Sequence, residues 1–116
     1  MNILFDEDTP YPLKRHLTDH KVTTVPQMGW AGIQNGKLLA LIQGTGCEVL
    51  LTCDQNMEYQ QNLGAQSFAT VVFRVPNKKM ETLIPLVPQL LALLPTVRPG
   101  QVYHVEKSAE APIPPP

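Results

Sequence analysis

The chain is predicted to fold as an α/β domain, a three-layer α/β/α sandwich around a mostly parallel sheet of about five strands. Strand-like and helix-like segments alternate along the sequence, and strands such as "NILF" and "EVLLTC" are continuous apolar runs. Continuously apolar strands are buried on both faces, which is typical of a parallel sheet covered by helices on both sides. Right-handed crossovers then favour the strand order 2-1-3-4-5.

Size and composition indicate how many domains the chain has and which classes of protein it does not resemble. The 116 residues carry a net charge of −1, which suits one domain without a general attraction to nucleic acid. The sequence has no apolar run of about eighteen residues and begins with a strand, so we expect neither a membrane span nor a signal peptide. An extended strand between Cys47 and Cys53 would hold them beyond disulfide reach. Both are therefore expected as reduced thiols in a cytoplasmic protein.

The first half of the chain contains three predicted strands, at residues 2–5, 21–25 and 48–53. A helix should follow the first strand, with Thr9 as its N-cap and Pro10 at its first position. Leu13 and Leu17 are four residues apart and should face the core. The segment "KLLALIQ", residues 37–43, is predicted to form a second helix that ends at "GTG".

The second half is predicted to contain two strands, at residues 68–75 and 100–106, and one long helix. The polar segment "QNMEYQQNL" before them is expected to be a short helix or an irregular loop. The long helix should run from about Met80 to Leu94. Pro85 and Pro88 lie inside it, so we expect a kink or an early break there.

The domain is predicted to span residues 1–106, followed by a tail at residues 107–116. The tail, "KSAEAPIPPP", combines low hydrophobicity with a high proline content. Such a composition buries little apolar surface, so the tail is expected to be flexible.

Acidic residues gather at the ends of the first and third strands. Five of the ten acidic residues lie there, namely Asp6, Glu7, Asp8, Asp54 and Glu58. Parallel strands are about 4.8 Å apart, so Asp6 and Asp54 can share one divalent ion, with Asn56 among the oxygen donors that complete its shell. The same carboxylates can instead cap the following helix and turn, where negative charge is favoured. Spacing alone leaves both interpretations open.

Basic residues follow the fourth strand at the same predicted edge. Arg74, Lys78 and Lys79 are candidates for holding phosphate groups, and a solvated helix start is the alternative. Because the net charge of −1 provides no general attraction to nucleic acid, any such contact would have to be made locally by residues like these.

Three histidines and one tryptophan complete the set of candidate residues. His16 and His20 have the spacing of a zinc pair, but no third ligand is near in sequence, which favours a solvated face. His104 is predicted to be packed in the core. Trp30 is expected to anchor its loop, with stacking on a base as the alternative. Nucleophile triads, GxGxxG and P-loop motifs are absent.

Two segments resemble a known family. "ILFDEDTP" is similar to the "LLDENLP" opening of small PIN-like proteins, described as VapC-like toxin components or as a domain of unknown function. "GWAGIQNGKLLALIQ" and "VLLTCDQNMEYQQNL" resemble one branch, in which "GWAGLKNGELL" and "TxDxNLxYQQNL" recur. The likeness covers roughly residues 2–105, and the YQQNL segment is its most specific part.

The resemblance implies a PIN-like fold and cleavage of RNA that depends on Mg²⁺ or Mn²⁺. Asp6 matches the first aspartate of the family, Asp54 matches the aspartate after the later strand, and Asn56 matches the polar position two residues on. Asp8 keeps an oxygen ligand where the family has asparagine. A toxin of this kind pairs with a small antitoxin protein. The sequence leaves the oligomeric state open, and a homodimer is one candidate.

One departure from the family pattern bears on activity. Lys37 replaces the acid of "NGELL", and a PIN site normally draws an acid from that helix. A lysine there is expected to pair with the carboxylates, to weaken metal binding and to reduce nuclease activity. A non-catalytic binding module with the same fold is therefore an alternative. A receiver-like signalling domain is a third interpretation, because it too places acids after the first and third strands.

Overall fold

The computed structural model describes residues 1–107, and residues 108–116, which contain nearly all of the predicted tail, lie outside the described part. Five strands form a single sheet: β1 Asn2–Phe5, β2 Lys21–Thr24, β3 Val49–Thr52, β4 Ala69–Arg74 and β5 Val102–Glu106. Four α-helical segments lie between β2 and β5: α1 Asn35–Ile42, α2 Met57–Gln60, α3 Met80–Leu83 and α4 Val87–Leu93. Each predicted strand is present, with ends within two residues of the prediction.

The sheet has the order β2-β1-β3-β4-β5, and every pair of neighbours is parallel. Phe5 is paired with Thr24 on one side and with Leu51 on the other, so β1 lies between β2 and β3. The predicted fold class and strand order are confirmed. Since all strands run the same way, the residues that follow them meet at one edge of the sheet.

Apolar side chains on both faces of the sheet are buried, which makes the domain a three-layer sandwich. One face packs on the segment after β1 and on α3 and α4, through Ile3, Phe5, Leu13, Leu17, Val49, Leu51, Val71, Phe73, Leu83 and Leu90. The other face packs chiefly on α1 and α2, through Leu4, Val25, Leu38, Leu39, Ile42, Leu50, Met57 and Phe68. Successive strand residues point to opposite faces, so continuous apolar runs supply both cores.

The segment after β1 differs from its prediction in two respects. It forms a 3₁₀ helix over Tyr11–His16 instead of an α-helix, and no side chain caps its start. Thr9 is buried, and its hydroxyl donates to the backbone carbonyl of Leu51 at 3.0 Å. The cap prediction is wrong because the helix begins one residue later than predicted, so Pro10 and not Thr9 occupies the N-cap position. Leu13 and Leu17 are buried as predicted.

The predicted long helix is broken as expected. A 3₁₀ turn at Ile84–Leu86 separates α3 from α4, and another at Leu94–Thr96 follows α4. Pro85 and Pro88 lack the backbone N–H that an uninterrupted α-helix needs. The longest helix within residues 1–107, α1, has eight residues, and none there is long and apolar enough to cross a membrane.

Both cysteines are free thiols. Cys47 precedes β3 and Cys53 follows it, as the sequence predicted. Burial raises the pKa of each thiol to about 11. Thiolate is the nucleophilic form of cysteine, so neither side chain is activated at neutral pH.

Candidate functional site

Asp6 directly follows β1 and is only 7% exposed. Its Oδ1 accepts a hydrogen bond from the backbone N–H of Glu7 at 2.8 Å, and its Oδ2 accepts one from the hydroxyl of Thr52 at 2.9 Å. Its own backbone N–H donates to the carbonyl of Leu51 at 3.0 Å, which fixes the position of the residue against β3. Asp6 also lines a cleft of about 440 Å³ beside the ends of β1 and β2.

Burial raises the pKa of Asp6 above its usual value. The hydrogen bonds from Thr52 and from the backbone of Glu7 oppose this shift, while the charges of Asp8 and Asp54 add to it. The crowded acids of the sequence predict a raised pKa for Asp6 or Asp8, because neighbouring carboxylates disfavour each other's ionised form. The direction is confirmed for Asp6, but desolvation by burial is the larger cause.

The hydroxyl of Thr52 connects Asp6 with Asp54. Besides donating to Asp6, it accepts the backbone N–H of Asp54 at 2.9 Å. Asp54 accepts the backbone N–H of Asn56 at Oδ1, 3.0 Å away, and the side-chain amide of Asn35 at Oδ2, 3.3 Å away. Asp6 and Asp54 therefore lie at the same edge of the sheet, joined through one buried side chain.

Sequence reasoning missed Asn35 and Thr52. Asn35 begins α1, the helix on which the family pattern places its third acid, and it lies two residues before Lys37. That pattern is the available signal, but it marks the position of Lys37 and not that of Asn35. In the sequence, Thr52 cannot be told from any other β-branched residue of a buried strand. Only the structure shows that its hydroxyl lies between the two aspartates.

The other acidic residues predicted at this edge have partners of their own. Glu7 accepts the backbone N–H of Gly32 at 2.7 Å, and Asp8 forms an ion pair with Lys78 at 3.5 Å. Glu58 reaches the opposite part of the edge, so it does not join an oxygen shell around Asp6. Among residues 1–107, no three His, Cys, Asp or Glu side chains are grouped so that they could hold a metal ion.

Lys37 is exposed in the first turn of α1. Within the described part of the chain it forms no ion pair with a carboxylate. The predicted pairing of Lys37 with the acidic site is therefore wrong. The side chain that reaches Asp54 from this helix is Asn35, which is shorter and neutral.

A second polar cluster lies around Glu58, on α2. Its Oε1 is 2.6 Å from Nε2 of His104 and 3.4 Å from a guanidinium nitrogen of Arg74. Burial acts against ionisation of Glu58, but the hydrogen bonds and charges of His104 and Arg74 prevail and lower its pKa. His104 is half-buried and bound to a carboxylate, so the prediction that it is packed in the core is wrong in this respect.

The remaining candidates are spread over the surface. Lys79 is exposed and precedes α3, close in sequence to Lys78. Trp30 is half-buried and packs against the core under α1, which confirms its role as a loop anchor. His16 is exposed, and Nδ1 of His20 lies 3.2 Å from the amino group of Met1, so the two histidines have different surroundings.

The bridging role of Thr52 can be tested with two buried threonines. Thr52→Val keeps the shape of the side chain but leaves Asp6 without a donor and the N–H of Asp54 without an acceptor. It is expected to lower the free energy of unfolding by about 1–3 kcal/mol in urea denaturation. Thr70 on β4 is the matched control, because it is equally buried and its hydroxyl has no partner among residues 1–107. Thr70→Val should leave stability unchanged or raise it, and equal losses in both variants would contradict the bridge.

No family model, curated protein sequence or solved structure gives a significant match to this chain.

Proposed function

We propose that the chain is a cytoplasmic, PIN-like ribonuclease that depends on Mg²⁺ or Mn²⁺, and that it is the toxin component of a toxin–antitoxin pair. The observation that supports this best is the buried carboxylate of Asp6, placed beside Asp54 at the carboxyl edge of the sheet. A buried carboxylate with a raised pKa lowers stability at neutral pH. A divalent cation between the two aspartates would offset that cost, and open α/β sheets bind their ligands at this edge.

The oxygen donors fit a hard divalent ion. Asp6 and Asp54 would hold it, with the side chain of Asn56 as a further donor from the adjoining loop. Asp8 would join them only by leaving its ion pair with Lys78. A bound ion of this kind supplies charge neutralisation and lowers the pKa of a coordinated water. Thr52 fixes the orientation of Asp6, and Asn35 fixes that of Asp54. Their roles are those of partners that orient metal ligands.

Two cations contribute to the proposed RNA surface. Lys78 and Lys79 are exposed after β4, at the same edge as the aspartates, and can attract phosphate groups, although Lys78 is also paired with Asp8. Arg74 is compensated by Glu58, so it is a weaker phosphate ligand than the sequence suggested.

Metal binding is the direct test of the site. Calorimetry should detect Mn²⁺ binding to the wild-type protein at neutral pH, together with a rise in melting temperature. Because the ion competes with a proton on Asp6, affinity should fall as the pH is lowered through the raised pKa of that residue. Asp6→Asn should remove most of the binding, and Lys37→Glu should strengthen it by adding an acid near Asn35.

Asp19→Asn provides the control for this experiment, since Asp19 is exposed and lies away from the edge that carries Asp6. It should bind Mn²⁺ like the wild type. Absence of heat at millimolar Mn²⁺, or equal affinity in Asp6→Asn, would contradict the proposed metal site.

A non-catalytic binding module is the second candidate function. It is favoured by the hydrogen bonds that already satisfy both oxygens of Asp6 and of Asp54 without an ion. Such a module would bind RNA or the small antitoxin through the same edge, without cleaving RNA. Binding of RNA in the absence of Mn²⁺ and binding of the antitoxin, without cleavage of RNA when Mn²⁺ is added, would support this candidate.

A further inference from the structure

Tyr59 is the most exposed large hydrophobic side chain in the described part of the molecule, at 73% exposure. It lies on α2, and its hydroxyl oxygen accepts a hydrogen bond from the guanidinium group of Arg74 at 3.3 Å. An aromatic ring in this position presents most of its surface to solvent. The apolar core therefore does not explain its presence.

A chain of polar contacts holds the ring in place. Arg74, which binds the Tyr59 hydroxyl, also binds Glu58, and Glu58 binds His104 on β5. Two of these anchoring side chains belong to neighbouring strands of the sheet, and the backbone N–H of Tyr59 donates to the carbonyl of Asn56 at 3.0 Å. The ring of Tyr59 is thus exposed, while Arg74 contacts its hydroxyl and Asn56 holds its backbone.

The position of this ring relates it to the candidate site. Asn56, whose carbonyl holds the backbone of Tyr59, also donates its backbone N–H to the carboxylate of Asp54. One short segment therefore carries both a proposed metal ligand and the exposed ring. Since Glu58 compensates its charge, Arg74 is better suited to orienting Tyr59 than to binding a phosphate group.

We propose that Tyr59 is a stacking platform for an unpaired base of single-stranded RNA whose backbone passes the Asp6–Asp54 site. This inference rests on the proposed function, in which RNA is the ligand. Bases of single strands stack on exposed aromatic rings whatever their identity, whereas bases inside a duplex have both faces covered. Tyr59 would therefore favour an unpaired over a paired nucleotide at this position, without a strong preference for the identity of its base.

The test is the binding of a fluorescently labelled single-stranded RNA of about ten nucleotides. Fluorescence anisotropy measures this binding, and EDTA is present so that no cleavage occurs. Tyr59→Leu, which keeps an apolar side chain without a π-face, is expected to weaken binding by about five- to 150-fold. Tyr59→Phe keeps the ring and should remain within about threefold of the wild type, because it loses only the contact to Arg74. Melting curves should show that both variants fold, because Tyr59 is exposed and contributes little to the core.

A strand of the same length with abasic nucleotides separates stacking from other effects. The wild type should bind it more weakly than the intact strand, and Tyr59→Leu should add little to that loss, since ring and base act as a pair. A duplex of the same sequence should bind both proteins equally. Equal affinity of wild type and Tyr59→Leu for the intact single strand, or no binding of it by the wild type, would overturn the proposal. The proposed function is judged separately, by Mn²⁺ binding and by cleavage.

Discussion

Asp6→Asn is expected to lower the rate of Mn²⁺-dependent cleavage of single-stranded RNA by at least about a hundredfold. Asparagine has the same size but lacks the negative charge and one acceptor oxygen, so it cannot hold a divalent ion beside Asp54 as a carboxylate does. Asp54→Asn should have a comparable effect. The measurement is the cleavage of a labelled RNA under excess Mn²⁺, with a chelator added in a parallel reaction.

The control for this prediction is Asp19→Asn, which should cleave RNA at the rate of the wild type. Cleavage that persists in the chelator, or that survives in Asp6→Asn, would show that the aspartates are not the catalytic centre. Wild-type protein that binds Mn²⁺ and RNA without cleaving RNA would point to the binding module. Lys37 forms no ion pair with a carboxylate within residues 1–107, but the acid that the family pattern has at this position is still missing.

Leu90→Ala is expected to lower the free energy of unfolding by about 2–5 kcal/mol. Leu90 lies on α4 and is fully buried against the sheet. Prolines divide the segment from α3 to α4 into pieces that are too short to be stable as isolated helices. Packing of residues such as Leu90 must therefore hold the segment in place, and a loss of this size is a large part of the stability of a small domain.

The neighbouring residue gives a matched control. Leu91→Ala changes helix propensity by the same amount, but Leu91 is 38% exposed on the same helix. Leu91→Ala should therefore lower the free energy of unfolding by only about 0.5 kcal/mol. Urea denaturation of the two variants gives the comparison, and similar losses in both would show that the segment is not held by its buried face.

The sequence by itself was sufficient to determine the fold class. Continuous apolar runs mark strands buried on both faces, and the handedness of crossovers leaves few ways to arrange them. The break at Pro85 and Pro88 was predictable for a similar reason, because a missing N–H acts locally. The start of the helix after β1 was not, because Pro10 occupies its N-cap position, while the hydroxyl of Thr9 is bonded to the carbonyl of Leu51 on β3.

The polar contacts of the site were decided only by the tertiary structure. Thr52 and Asp6 are 46 residues apart in sequence, and Glu58 and His104 are separated by the same distance. Whether such side chains meet depends on strand register and on which face each residue occupies, and a shift of one residue reverses that face. The sequence therefore determined that acids gather at one edge of the sheet. Only the folded chain decided that Thr52 joins Asp6 to Asp54, while Glu58 turns to His104 instead.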